Sequence, residues 1–152
     1  MPATIGQPAP TFTLKDQDNN EVSLESMRGR KTLVVFIPFP FTGNCEAELC
    51  AIRDHLADFN EVDANVVAIS CDTRHVHKHW AGEQGYTFPI LSDFWPHGAT
   101  AQAYGCFEER LGSATRTTYV LDAEGIVREI VASGNIAITR DIADYDTALA
   151  HL

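Results

Sequence analysis

A chain of 152 residues, 45% hydrophobic and 21% charged, is long enough and apolar enough for one globular domain with a real core. Its formal net charge of −10 argues against nucleic acid as a partner, because phosphates recruit basic surfaces. It contains no apolar run approaching twenty residues, so no membrane span or membrane partner is expected.

The N-terminus, Met1-Pro2-Ala3-Thr4, has no basic segment followed by an apolar one. No signal peptide is therefore expected, and a cytoplasmic location is the default. Gly6-Gln7-Pro8-Ala9-Pro10 is a stiff entry. Phe12 and Leu14 then alternate with polar residues, as in a short strand. Asp16 to Asn20 is a turn cluster, and Glu21-Val22-Ser23-Leu24 reads as the returning strand of an N-terminal hairpin. Ser23 to Gly29 has room for one helical turn.

Thr32 to Ile37 is apolar at nearly every position, which predicts a strand covered on both faces. The loop Pro38-Phe39-Pro40-Phe41-Thr42-Gly43-Asn44 follows, and a helix is predicted from about Cys45 to Asn60. Cys45, Leu49, Ile52, Leu56 and Phe59 form its inward stripe. Glu48 lies beside Cys45 one turn on, while Glu46, Asp54 and Asp58 are expected to face solvent. The loop thus delivers a cysteine to a helix N-terminus, where unpaired N–H groups and the helix dipole favour thiolate over thiol.

Ala64 to Ser70 reads as a second buried strand, parallel to the first across a right-handed crossover. A helix is expected from Arg74 to Gln84, ending at Gly85. Phe88-Pro89-Ile90-Leu91 reads as a short strand, its proline suited to a sheet edge. A loop over residues 92–98 leads to a short helix, Ala99 to Tyr104. Thr115 to Leu121 and Ile126 to Ala132 flank Asp122-Ala123-Glu124-Gly125 as an antiparallel hairpin. Ile142 to Leu152 fits a closing helix. This order predicts an α/β fold, a thioredoxin-like sandwich with a central mixed sheet and an N-terminal hairpin extension, formed by residues 1–152 as a single domain.

The four cysteines, Cys45, Cys50, Cys71 and Cys106, suggest catalysis or redox sensing rather than a disulfide framework. Cys71, His75 and His79 recur at steps of four. Cys71 precedes the helix and a fourth ligand is missing, so a solvated helix face is preferred over a metal site.

The spacing Pro38-x-x-x-Thr42-x-x-Cys45 resembles the signature of peroxiredoxins, thiol peroxidases built on a thioredoxin scaffold. Arg116 within Arg116-Thr117-Thr118-Tyr119-Val120-Leu121-Asp122, the entry from Gly6 to Leu14, and Phe88-Pro89-Ile90-Leu91-Ser92-Asp93 extend the likeness over nearly the whole chain. The segments 92–99 and Gln102-Ala103-Tyr104-Gly105 look most like the alkyl hydroperoxide reductase E group. The resemblance implies reduction of hydrogen peroxide, organic hydroperoxides or peroxynitrite through a sulfenic acid on Cys45, as antioxidant defence, without a cofactor or metal.

It also implies roles. Cys45 is the peroxidatic cysteine, and Thr42 hydrogen-bonds the peroxide. Arg116 supplies charge to sulfur and oxygen, and Pro38 shields the thiolate from water. Backbone N–H groups of Asn44 and Cys45 complete the oxygen site, and Glu48 orients the arginine. Bland alternatives stand beside these: Thr42 as a loop brace or cap, Arg116 as an exposed strand residue, Glu48 as an ordinary paired carboxylate.

Cys50 has the spacing of a resolving cysteine in the Q-type branch. In an intact helix, however, five residues separate Cα atoms by about 8–9 Å, beyond disulfide reach without unwinding. Cys71, at the end of the neighbouring parallel strand, is a second candidate resolver, and Cys106 reads as packing. Otherwise the reductant is external: thioredoxin, a glutaredoxin-like protein or a low-molecular-weight thiol. Phe39, Phe41, Phe94 and Trp95 are candidate contacts of a homodimer, with core packing as the alternative. A thioredoxin-type oxidoreductase is disfavoured by the absence of C-x-x-C. A redox sensor oxidised at Cys45 without turnover is the remaining alternative.

Overall fold

The apolar run after Arg30 forms strand β3 (Lys31–Phe36) in the computed structural model of the chain, which describes residues 2–152. Alternate side chains of β3 enter two different cores. Leu33 and Val35 pack with one set of helices, and Val34 and Phe36 face the other side. That is the period-2 geometry of a strand covered on both faces.

Around β3 lie β1 (Thr13–Lys15), β2 (Glu21–Ser23), β4 (Ala64–Ser70), β5 (Ile90–Ser92), β8 (Thr117–Leu121) and β9 (Val127–Ala132). They form one seven-stranded sheet in the order β2-β1-β5-β4-β3-β8-β9. β3, β4 and β5 are mutually parallel, and the remaining pairings are antiparallel, so the sheet is mixed. Helices α1 (Gly43–Glu61), α2 (Arg74–Gln84) and α4 (Ile142–Ala150) cover one face. Helix α3 (Ala99–Tyr104) and a 3-10 turn (Leu24–Met27) cover the other.

Local chemistry sets the helix ends. Thr73 accepts the Val76 N–H at the start of α2, and Gly85 ends it in the left-handed region at φ 73°. Asp93 accepts the N–H groups of Thr100 and Ala101 at the start of α3. Asp141 caps α4 through the Ala143 N–H.

Three expectations need correction. Strand β5 is internal, between β1 and β4, because the N-terminal hairpin adds beyond it. Pro89 escapes the conflict by preceding the strand and offering only its carbonyl, which accepts from Ala68 N–H at 3.0 Å. Glu46 does not simply face solvent: it is half-buried and accepts a hydrogen bond from Trp80 Nε1 at 3.1 Å. Helix α1 begins at Gly43 rather than Cys45. The short pair β6 (Phe107–Glu108) and β7 (Ser113–Ala114) has no counterpart in the sequence reading, since two residues are too few to display a strand period.

Sheet register decides what meets at the carboxyl end of β3. Phe36 pairs with Thr117 at the start of antiparallel β8, and Thr117 pairs with Ala132 at the end of β9. Residue 116 and the segment leaving β9 at residue 133 therefore arrive where the 37–44 loop turns into α1.

Candidate active site

Thr42 is the N-cap of α1, so Cys45 is the third helical residue. The first intrahelical bond runs from Glu46 N–H to Thr42 O at 2.9 Å. The N–H groups of Gly43, Asn44 and Cys45 precede it and have no partner within the helix. Pro38 is buried at the end of β3. Phe41 holds φ at +66°, a conformation rare for a bulky residue, immediately before the cap. The Thr42 side chain makes no capping bond; its hydroxyl donates to Phe39 O at 2.7 Å.

Cys45 is completely buried. Arg116 Nη1 lies 3.2 Å from its Sγ and 2.6 Å from Glu48 Oε1. Arg116 Nε donates to the carbonyl of Ile136. The guanidinium is therefore fixed from two sides and aimed at sulfur, with its side chain only 3% exposed.

Arg140, which sequence reasoning did not single out, completes the arrangement. Its Nε and backbone N–H donate to Glu48 Oε2, each at 2.8 Å, and Nη2 donates to Oε1 at 2.8 Å. With Arg116 added, the Glu48 carboxylate accepts four hydrogen bonds. Burial alone would raise the Glu48 pKa, but the Arg140 hydrogen bonds and charge, with Arg116 behind them, hold it below 4.5. Arg140 is correspondingly held above its usual value by the same carboxylate, against the effect of burial. Two permanent cations thus face one carboxylate around the sulfur.

Arg140 sits one residue before the cap of α4, in a polar stretch that looks like an ordinary helix approach. The signal available in the sequence was Glu48 itself. A carboxylate on an inward helix face needs more than one partner.

The other thiols lie apart from this cluster. Cys50 turns toward α2 and its exit, with Sγ 3.6 Å from Gln84 Oε1 and 3.4 Å from Tyr86 Oη. Cys71 is buried, and burial pushes its thiol up to about 12, with Asp93 adding to the effect. Cys106 is buried in the core with Tyr104 and Tyr119, and burial pushes it up to about 12 as well. All four cysteines are free. His75 and His79 are exposed, and His79 lies 3.2 Å from Glu83. Among the described residues, no three His, Cys, Asp or Glu side chains gather as metal ligands.

A groove of about 380 Å³ is lined by Arg116 together with Arg110, Leu111 and Ile136. The loop side chains Phe39, Phe41, Phe94 and Trp95 are exposed, Trp95 to 82%. Among the described residues no helix is long and apolar enough to cross a membrane.

The model of the AhpC/TSA family matches residues 5–130 of the chain. The chain is 48% identical over 151 residues to alkyl hydroperoxide reductase E of Mycobacterium tuberculosis, covering 97% of each chain. It is 37% identical over 126 residues to the chloroplastic peroxiredoxin Q of Populus jackii, covering 82% of this chain and 58% of that one. The crystal structure of peroxidoxin BcpB from Mycobacterium tuberculosis superposes with a TM-score of 0.85 at 29% identity, over 97% of this chain and 95% of that one. Enterococcus faecalis AhpC superposes with a TM-score of 0.89 at 27% identity, over 98% and 92%.

Proposed function

The chain belongs to the AhpC/TSA family and is a thiol-dependent peroxidase on a thioredoxin-like fold, and from that premise we propose that Cys45 is its peroxidatic sulfur. The Cys45 thiolate attacks one oxygen of the hydroperoxide. A sulfur–oxygen bond forms, the oxygen–oxygen bond breaks, and the departing oxygen takes up a proton to leave as water or an alcohol. The observation that carries the reading is the Arg116 Nη1 to Cys45 Sγ distance of 3.2 Å at the first turn of α1. The same guanidinium stabilises the sulfur anion before attack and the charge that develops on oxygen during it. The unpaired N–H groups of Asn44 and Cys45 receive the oxygen. Thr42 Oγ1, its own proton donated to Phe39 O, accepts a hydrogen bond from the hydroperoxide O–H. Pro38 closes the floor.

The sulfenic acid is returned to thiol by an external thiol. Cys50 is engaged with Gln84 and Tyr86, and joining it to Cys45 requires unwinding the first turn of α1. That turn is held by Glu48 through both arginines and by Glu46 through Trp80. Cys71 is a poor nucleophile with its thiol pushed up to about 12. One external thiol forms a mixed disulfide with Cys45 and releases water. A second thiol then frees Cys45. The donor is thioredoxin, a glutaredoxin-like protein or a low-molecular-weight thiol.

Four free cysteines suit a reducing, cytoplasmic compartment. Residues 1–152 act as one domain, since both core clusters share one sheet. The exposed Phe39, Phe41, Phe94 and Trp95 suit a homodimer contact.

The test is consumption of hydrogen peroxide with dithiothreitol as reductant. The chain turns over, and Cys45→Ser stops it. Turnover that survives Cys45→Ser overturns the assignment. Oxidation without turnover by any thiol identifies a redox sensor instead.

A further inference from the structure

The contacts around Glu48 continue beyond the two arginines. Arg140 Nη1 donates to Thr118 Oγ1 at 3.0 Å, and Thr118 Oγ1 lies 2.9 Å from Tyr145 Oη. Thr118 is fully buried on β8, and Tyr145 is 2% exposed on α4. An unbroken line of buried polar contacts therefore runs from the C-terminal helix to the sulfur: Tyr145, Thr118, Arg140, Glu48, Arg116, Cys45.

We propose that Tyr145 is a positioning residue for the peroxide reaction, holding Arg140 through Thr118 so that Arg140 occupies Glu48 and leaves Arg116 aimed at Cys45. The proposal rests on the peroxidase reading above. Arg140 and Arg116 compete for one carboxylate. Arg140 meets both oxygens of Glu48, and Arg116 meets only Oε1. When the Arg140 fork is well placed, Glu48 is largely neutralised, and the Arg116 charge acts on sulfur. When Thr118 loses its Tyr145 partner, the Arg140 Nη1 contact with Thr118 loosens. Glu48 then draws more strongly on Arg116 at the expense of sulfur. Thr118 cannot easily find another arrangement, because it is β-branched and enclosed. The phenol of Tyr145 fits this position well. Its ring packs in the core cluster with Phe59, and only the hydroxyl reaches the polar line.

The test compares Tyr145→Phe, Thr118→Val and the double variant with wild type. Two readouts are followed: the second-order rate with hydrogen peroxide, and the pH profile of iodoacetamide alkylation at the Cys45 peptide. Tyr145→Phe keeps the ring and removes one hydroxyl. The expected result is a rate lower by about three- to tenfold, the worth of one buried hydrogen bond. The alkylation profile moves to higher pH, and the double variant is no worse than the poorer single one, as for residues acting in series. An unchanged rate and profile in folded Tyr145→Phe overturns the proposal. So does a fully multiplicative double variant. If Tyr145→Phe does not fold, Thr118→Val is judged by the same criteria. The alkylation arm reads the sulfur whether or not the chain turns over peroxide. A failure of the peroxidase reading is thus distinguishable from a failure of this one.

Discussion

Glu48 accepts hydrogen bonds from Arg140 on both carboxylate oxygens and yields one of them, Oε1, to Arg116 as well. Removing either partner of so deeply buried a set leaves an uncompensated charge, which costs about 3–5 kcal/mol of stability. Arg140→Met is therefore expected to lower stability by about that amount in urea unfolding. It should also slow the peroxide reaction at least about tenfold as Arg116 is drawn toward the orphaned carboxylate. Arg140→Lys restores charge without the fork and recovers only part of either quantity. A rate unchanged by Arg140→Met would remove this residue from the site.

Thr42 separates two roles that usually coincide. Its side chain makes no capping bond, so Thr42→Val should cost less than the ~1 kcal/mol typical of a lost N-cap. On the proposed role of its hydroxyl toward peroxide, the rate is expected to fall by about 10–100-fold, with Thr42→Ser close to wild type. A stability loss without a rate loss would make Thr42 a loop brace only.

Intact mass after one equivalent of peroxide distinguishes the resolving routes. The expected product gains one oxygen in a single chain. Cys50→Ser and Cys71→Ser are expected to give that product and to turn over with external thiol at near the wild-type rate. A loss of two hydrogens, abolished by Cys50→Ser, would show an internal disulfide and an unwound helix start.

Stability against pH has a defined sign. His77 is fully buried beside Ser70, and burial pulls its pKa down from 6.5 to about 4. The unfolded chain therefore binds this proton at higher pH than the folded one. The contribution is complete above 6.5 and is lost as pH falls toward 4, on the order of 3 kcal/mol in all. Glu48, held below 4.5, contributes stability that is present above 4.5 and lost as pH falls through its lower folded value. Urea midpoints measured from pH 7 to 4 should fall accordingly, and His77→Gln should flatten the upper part of that curve. A flat wild-type curve over that range would contradict the burial argument.

Much of this architecture was legible because it rests on local patterns. The strands at 32–37 and 64–70, the helix from Arg74 to Gly85 and the closing helix all carry clear periods and caps. The cysteine at a helix mouth was legible for the same reason. What escaped was set by long-range register or by partners distant in sequence. β5 became internal because a hairpin from the N-terminus paired outside it. Glu46 was covered by Trp80, 34 residues on. Arg140 reaches Glu48 across 92 residues, and no spacing rule encodes a contact of that kind. Thr118 and Tyr145 carried no signal of their own in the sequence, and only the contact between their oxygens reveals a polar role.

The pairing of Phe36 with Thr117 also bears on what insertions and deletions the chain tolerates. Side chains alternate faces along a strand, so sliding β8 by one residue would carry Arg116 away from the sulfur and leave Arg140 and Glu48 facing each other without it. The exposed 109–111 stretch should absorb an extra residue with little harm. A single deletion inside 117–121 should abolish reactivity at once, with no graded intermediate.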